Sequence, residues 1–146
     1  MLIMEQSFGM DQLERIAKKL AELVNSHHLF TFEGDLGAGK TILVKALCEQ
    51  LGVKDKVASP TYSLVNQYEG NLNGKSFPVH HIDLYRLESA EEAYHAGIEE
   101  ILQSPGICLV EWPQRLAMIG QERRIAVRLA MSSPSMRQIW IDSHEN

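Results

Sequence analysis

The stretch Gly34-Asp35-Leu36-Gly37-Ala38-Gly39-Lys40-Thr41 constrains this chain more than any other. It fits G-x-x-x-x-G-K-[ST], the phosphate-binding loop. Its glycines let the backbone curl so that successive N–H groups converge where phosphate oxygens can sit. A helix beginning at the loop adds the positive end of its dipole. The flanks meet this requirement. Leu29-Phe30-Thr31-Phe32 is a short run of strand formers before the loop. A helix is expected after it, running to about Leu51 and closed by Gly52. On this reading the backbone from Gly34 to Ile42 cradles a nucleotide such as ATP. Lys40 reaches the β- and γ-phosphates from a side chain exposed in the free protein, and the Thr41 hydroxyl ligates Mg²⁺.

The remaining pattern is that of an α/β chain. Residues 10–25 read as an amphipathic helix, with Leu13, Ile16, Ala17, Leu20 and Val24 at helical spacing. After the loop helix comes Ser59-Pro60-Thr61 and then the β-rich Tyr62-Ser63-Leu64-Val65. Asn71 to Lys75 reads as a hairpin tip, since Asn73-Gly74 is a strong turn signal, and a strand returns over Phe77 to Leu84. Residues 89–103 read as helical, with Ser89 and Glu92 as a capping box and a break at Gly97. Ile107-Cys108-Leu109-Val110 is wholly apolar, as in a strand covered on both faces. Residues 124–130 and 137–141 read as a closing antiparallel pair. The order predicts an α/β fold of the P-loop NTPase type: a mixed sheet with central parallel strands, added antiparallel strands, and helices on both faces.

Three further clusters carry chemistry. Glu111 directly follows the apolar strand, where phosphate-loop ATPases place an acidic metal ligand. Trp112 after it either packs on the site or belongs to the core. In His81-Ile82-Asp83-Leu84-Tyr85-Arg86, strand alternation puts Ile82 and Leu84 on one face and Asp83 and Tyr85 on the other. A carboxylate in such a run needs a partner or a task. Asp83 either serves the metal shell and the attacking water or bonds structurally to Tyr85 or Arg86. His80 and His81 have no Cys or His nearby at ligand spacing, so zinc is not expected. Ser59-Pro60-Thr61-Tyr62 stands where switch segments feel a γ-phosphate; it equally suits a proline turn.

The 146 residues predict one domain spanning 1–146. Fourteen Lys and Arg against 19 Asp and Glu give a net charge of −5, which argues against a broad nucleic-acid grip. Cys48 and Cys108 lie in apolar surroundings without metal spacing and read as buried reduced thiols. No apolar run is long enough to span a bilayer, and residues 1–5 do not look like a secretory leader. A cytoplasmic protein is expected, with no membrane partner.

Taken together, G-D-L-G-A-G-K-T, S-P-T-Y-S-L-V, H-I-D-L-Y-R-L, G-I-E-E and V-E-W-P, in this order, closely resemble the TsaE family, small bacterial ATPases of tRNA threonylcarbamoyladenosine biosynthesis. The likeness covers residues 7 to about 115 well and the C-terminal strands loosely. It implies a Mg²⁺-dependent ATPase that assists TsaD and TsaB. TsaD transfers the threonylcarbamoyl group to N6 of adenine 37, so tRNA is met through that complex and DNA is not expected. Carried over, Lys40 contacts phosphates, Thr41 and Glu111 bind Mg²⁺, Asp83 is a catalytic-site carboxylate, Thr61 belongs to the first switch segment, and Trp112 is part of the active-site signature. The chain departs from the family at Ile42, where a second Thr is usual, and at Met10, where a Thr near the adenine is common.

Two other classes compete. A small-molecule or nucleoside kinase shares the loop but needs an acceptor pocket and an arginine-rich lid, and no Arg-dense segment is seen. A GTPase would carry N-K-x-D and D-x-x-G, and neither string occurs. Arg86 is the one motif arginine near the site and none is marked as a catalytic finger, so weak intrinsic turnover is expected. Glu88, Glu91, Glu92, Glu99 and Glu100 form either a docking face or a solvated one.

Overall fold

The computed structural model describes residues 1–60 and 64–146. Among them, seven strands form one sheet: β1 (Leu2–Gly9), β2 (Leu29–Glu33), β3 (Val65–Leu72), β4 (Lys75–Asp83), β5 (Ile107–Glu111), β6 (Arg124–Ser133) and β7 (Met136–His144). They lie in the order β1-β7-β6-β2-β5-β4-β3. β2 runs parallel to β5 and β6, and β4 parallel to β5. The flanking pairs β3–β4, β6–β7 and β1–β7 are antiparallel. The expected mixed sheet is therefore present.

The central strands β2 and β5 are mainly apolar because both their faces are covered, with Thr31 and Glu111 as buried polar exceptions. Phe30 and Phe32 of β2 join Ile16 and Leu20 of α1 (Leu13–Glu22) and Leu43, Val44 and Leu47 of α2 (Lys40–Gln50) in one core. Leu29, Cys108 and Val110 point the other way, onto Ala93 of α3 (Ala90–His95) and Ile98 and Leu102 of α4 (Ile98–Gln103). Period-two alternation thus separates two helical layers. Both cysteines are free and buried. Among the described residues no helix is long and apolar enough to cross a membrane.

The local signals act as their chemistry dictates. Asn73 and Gly74 have φ of 56° and 82°, the two positive values of a type I′ turn between β3 and β4. Ser89 Oγ accepts the Glu92 N–H at 3.1 Å, the Ser89 half of the expected box. Gly97 separates α3 from α4. The helix expected over 10–25 is α1 with a 3-10 turn at each end, Met10–Gln12 and Leu23–Asn25.

β1 was not expected, because Leu2 to Ser7 shows no clean alternation. The strand has one ladder partner, β7, and most of its side chains reach solvent. Its ladder bonds continue to the terminus, where the Met1 carbonyl accepts the Ser143 N–H at 2.9 Å. Its apolar anchor is Phe8, 2% exposed in the core beneath β7. Phe8→Ala should therefore destabilise the protein by about 3–5 kcal/mol, read from the urea midpoint. Leu2→Ala, on the half-exposed end of the strand, should stay within about 0.5 kcal/mol.

Candidate functional site

Parallel β2, β4 and β5 end at one edge of the sheet, and each end delivers a residue to the same place. β2 runs into the glycine loop. In the β4–β5 register Asp83 lies directly opposite Glu111, so two carboxylates meet at neighbouring strand ends. The edge beyond the carboxyl ends of parallel strands is where such sheets bind ligands. A cavity of about 330 Å³ opens there, lined by the loop, Thr41, Ile42, Ser59, Asp83, Tyr85, Glu111 and Trp112.

The loop is pressed against the sheet. A Cβ on Gly34 would lie 2.6 Å from the Leu129 carbonyl oxygen of β6, so only glycine lets the backbone pass there. Gly39 then serves as N-cap of α2. Leu36 and Ile42 stand exposed beside the loop, and Asp35 and Gly37 are exposed with them.

Lys40 differs from expectation. Its side chain is 5% exposed, not open to solvent. Its ammonium donates to the Gly34 carbonyl and, at 3.0 Å, to the Asp35 carbonyl. It also lies 4.3 Å from the centroid of the Trp112 ring. A buried ammonium needs partners, and here the loop's own carbonyls and an aromatic face supply them. Burial holds Lys40 below the usual lysine range, while Glu111, Asp83 and Asp35 pull in the other direction. In this state the lysine closes the loop on itself.

Glu111 is the hub of the site. It is 2% exposed. Thr41 Oγ1 donates to its carboxylate at 3.0 and 3.3 Å. His81 Nε2 donates to Oε2 at 2.6 Å. Ser59 Oγ lies 3.3 Å from Thr41 Oγ1. Thr41 Oγ1, Ser59 Oγ and the Glu111 carboxylate are all oxygen groups, the chemistry that suits a hard divalent cation such as Mg²⁺, and Thr41 and Glu111 are already adjacent. Among the described residues no group of three or more His, Cys, Asp or Glu is placed to hold a metal ion. His81 is a fully buried positioning partner of Glu111; its Nδ1 finds no hydrogen-bond partner among the described residues.

Asp83 keeps one of its structural alternatives. Its Oδ1 accepts the Tyr85 backbone N–H at 3.0 Å, while the ion pairs among the described residues do not join it to Arg86. Burial pushes its carboxyl above the usual range; the Tyr85 N–H opposes this, Glu111 reinforces it, and His81 and Lys40 oppose it. Trp112 adopts a left-handed conformation, φ 58° and ψ 48°. That turn lays its ring against Lys40 and 4.9 Å from the Tyr85 ring, so it packs on the site. Such strain in a bulky residue is typical of functional positions. Thr61, placed in the switch segment by sequence, lies outside the described residues.

Ser59 and Tyr85, which the sequence places in the switch-like stretch and on the Asp83 face, both line the cavity; Arg115 and Arg137 carry no sequence signal, and His81 is read from sequence only as a metal ligand. The alternation that grouped Asp83 and Tyr85 also puts His81 on their face. Arg115 stacks 5.5 Å from the Tyr85 centroid and 5.9 Å from that of Trp112, and Arg137 Nε donates to the Ala38 carbonyl at 3.1 Å. Arg137 therefore contacts the loop directly, and Arg115 reaches the rings of Tyr85 and Trp112 that wall the cavity.

Fold and site together define a class: mixed α/β proteins with a glycine-rich loop at the carboxyl edge of parallel strands. Within it, residues 9–139 match the sequence model of the family described as threonylcarbamoyl adenosine biosynthesis protein TsaE, and the chain belongs to the TsaE family. It is 33% identical over 129 residues to the tRNA threonylcarbamoyladenosine biosynthesis protein TsaE of Bacillus subtilis, covering 88% of this chain and 78% of that one. It is 38% identical over 120 residues to the protein of the same name from Haemophilus influenzae, covering 79% and 73%. The crystal structure of Bacillus subtilis YdiB superposes with a TM-score of 0.73 and 26% identity, over 100% of this chain and 89% of that chain.

The raised Asp83 carboxyl has a consequence for stability. A carboxyl held above its ordinary value of 3.8 costs the fold stability at neutral pH, and that cost disappears as pH falls toward 3.8. Asparagine keeps the oxygen that accepts the Tyr85 N–H and removes the charge. Asp83→Asn should thus raise the urea midpoint at pH 7, with the gain shrinking as the buffer is acidified. A lower midpoint at pH 7 would assign Asp83 a structural ion-pairing role.

Proposed function

We propose that this chain is a Mg²⁺-dependent ATPase that serves tRNA N6-threonylcarbamoyladenosine formation as an accessory to TsaD and TsaB. The observation that carries the reading is the convergence of the glycine loop, Thr41, Glu111 and Asp83 on one cavity at the carboxyl edge of the sheet. Membership of the TsaE family supports the tRNA-modification role.

The residues divide the work. The loop N–H groups from Gly37 to Thr41 and the N-terminus of α2 bind the phosphate chain. Lys40 exchanges the Gly34 and Asp35 carbonyls for phosphate oxygens, which bind an ammonium more strongly than neutral carbonyls do. Thr41 and Glu111 would hold Mg²⁺, which when bound neutralises charge on the β- and γ-phosphate oxygens. His81 fixes one oxygen of Glu111 and leaves the other turned to Thr41. Asp83, anchored through Oδ1, orients the attacking water and receives its proton; its raised affinity for protons suits that task. Trp112 and Tyr85 wall the cavity. Glu88, Glu91, Glu99 and Glu100 are exposed around α3 and α4 and offer an acidic docking face.

ATP titrated into the wild type and into Lys40→Ala by calorimetry tests the binding step. The variant should lose about 10- to 150-fold in affinity, the equivalent of about 1.5–3 kcal/mol for a charge-assisted contact. Unchanged affinity would overturn the assignment of the loop. Asp83→Asn should still bind Mg-ATP and turn it over more slowly. For the accessory role, steady-state ATPase activity is compared with and without the TsaB–TsaD pair at matched salt. Weak turnover that rises with the pair is expected, whereas strong activity indifferent to it would favour a kinase.

A further inference from the structure

We infer that Arg137, 99 positions away from its loop partner, is a positioning residue that holds one peptide of the phosphate cradle in its binding orientation. The inference rests on the proposal that the loop takes a nucleotide's phosphates. Arg137 lies near the start of β7, paired with Phe8 of β1 and Met131 of β6. Its guanidinium is fixed from behind by the Met136 carbonyl at 3.3 Å and the Ser133 carbonyl at 3.4 Å, both accepting from Nη1. From there Nε donates at 3.1 Å to the Ala38 carbonyl.

The Ala38 carbonyl and the Gly39 N–H belong to the same planar trans peptide, so they point in opposite directions. Pinning the carbonyl outward on Arg137 turns the Gly39 N–H toward the opposite side, where Gly37, Gly39 and Lys40 line the cavity. A glycine peptide rotates readily when nothing restrains it. Arg137 is the restraint, and its charge lies on the outer face of the loop without occupying the cavity. A second contact from the same hairpin supports this role: the Leu129 carbonyl of β6 leaves no room for a side chain on Gly34. The β6–β7 hairpin thereby braces the loop near its start and at the entry to α2.

The test measures ADP and ATP affinities of wild type, Arg137→Gln, Arg137→Lys and Gln138→Ala at a temperature where all are fully folded. Gln138 is the neighbour on β7; its side chain accepts from Ser7 Oγ at 2.7 Å and serves as a control for the hairpin itself. Arg137→Gln should weaken ADP and ATP by a common factor of about 5- to 30-fold, the range expected for one lost hydrogen bond to a binding group. Arg137→Lys should recover part of that loss, and Gln138→Ala should bind as wild type does. Wild-type affinity in Arg137→Gln, or an equal loss in Gln138→Ala, would overturn the inference. If Arg137→Gln does not fold, Arg137→Lys decides: a shared loss for both nucleotides supports the role and wild-type affinity overturns it. Failure of the wild type itself to bind either nucleotide would instead overturn the functional proposal.

Discussion

The Glu111 carboxylate receives hydrogen bonds from two directions, from Thr41 at the start of α2 and from His81 on β4. It lies at the end of β5, between β2 and β4. The first turn of the loop helix is thus bonded to the sheet through one buried acidic side chain. Hydrogen bonds to a charged acceptor contribute about 1.5–3 kcal/mol each. Without them a buried carboxylate would be strongly destabilising. The bonds that make Glu111 tolerable in the core also keep it beside Thr41, where the proposed function would place Mg²⁺.

The rest of the site depends on that arrangement. The parallel register of β4 on β5 places Asp83 level with Glu111, and this proximity helps to hold the Asp83 carboxyl in its raised state. Lys40 interacts electrostatically with both carboxylates, and its ammonium is held by loop carbonyls and the Trp112 ring. The ammonium is therefore satisfied by the loop's own carbonyls. On the proposed function, an entering phosphate chain would exchange bonds that Lys40 already makes, so loop closure and ligand binding would compete for one ammonium.

Much of this was legible in the sequence because the informative signals are local. The spacing of Gly34, Gly39 and Lys40 identified the loop, the apolar run at 107–110 identified a covered strand, and Asn73-Gly74 identified the turn. Glu111 and Asp83 stood out because carboxylates at the ends of apolar strands require a reason. What escaped notice depends on contacts between distant segments. The burial of Lys40 arises from the loop folding back on its own carbonyls, which a motif defined by its ligand does not describe. Arg137 meets Ala38 only because the last hairpin packs beside β2. β1 is shaped by pairing with β7 and carries little pattern of its own.

On the proposed function, one carboxylate both brackets the loop to the sheet and serves the cation that accompanies the nucleotide. The most direct measurement is ATP affinity with Mg²⁺ and with EDTA, in wild type and in Glu111→Gln. Glutamine preserves the size of the side chain and an oxygen for Thr41 but lacks the charge. Mg²⁺ should tighten ATP binding to the wild type, and this gain should fall by about tenfold or more in the variant, consistent with a charge-assisted contact. An equal gain from Mg²⁺ in both proteins would contradict this dual role and leave Glu111 as a purely structural bracket.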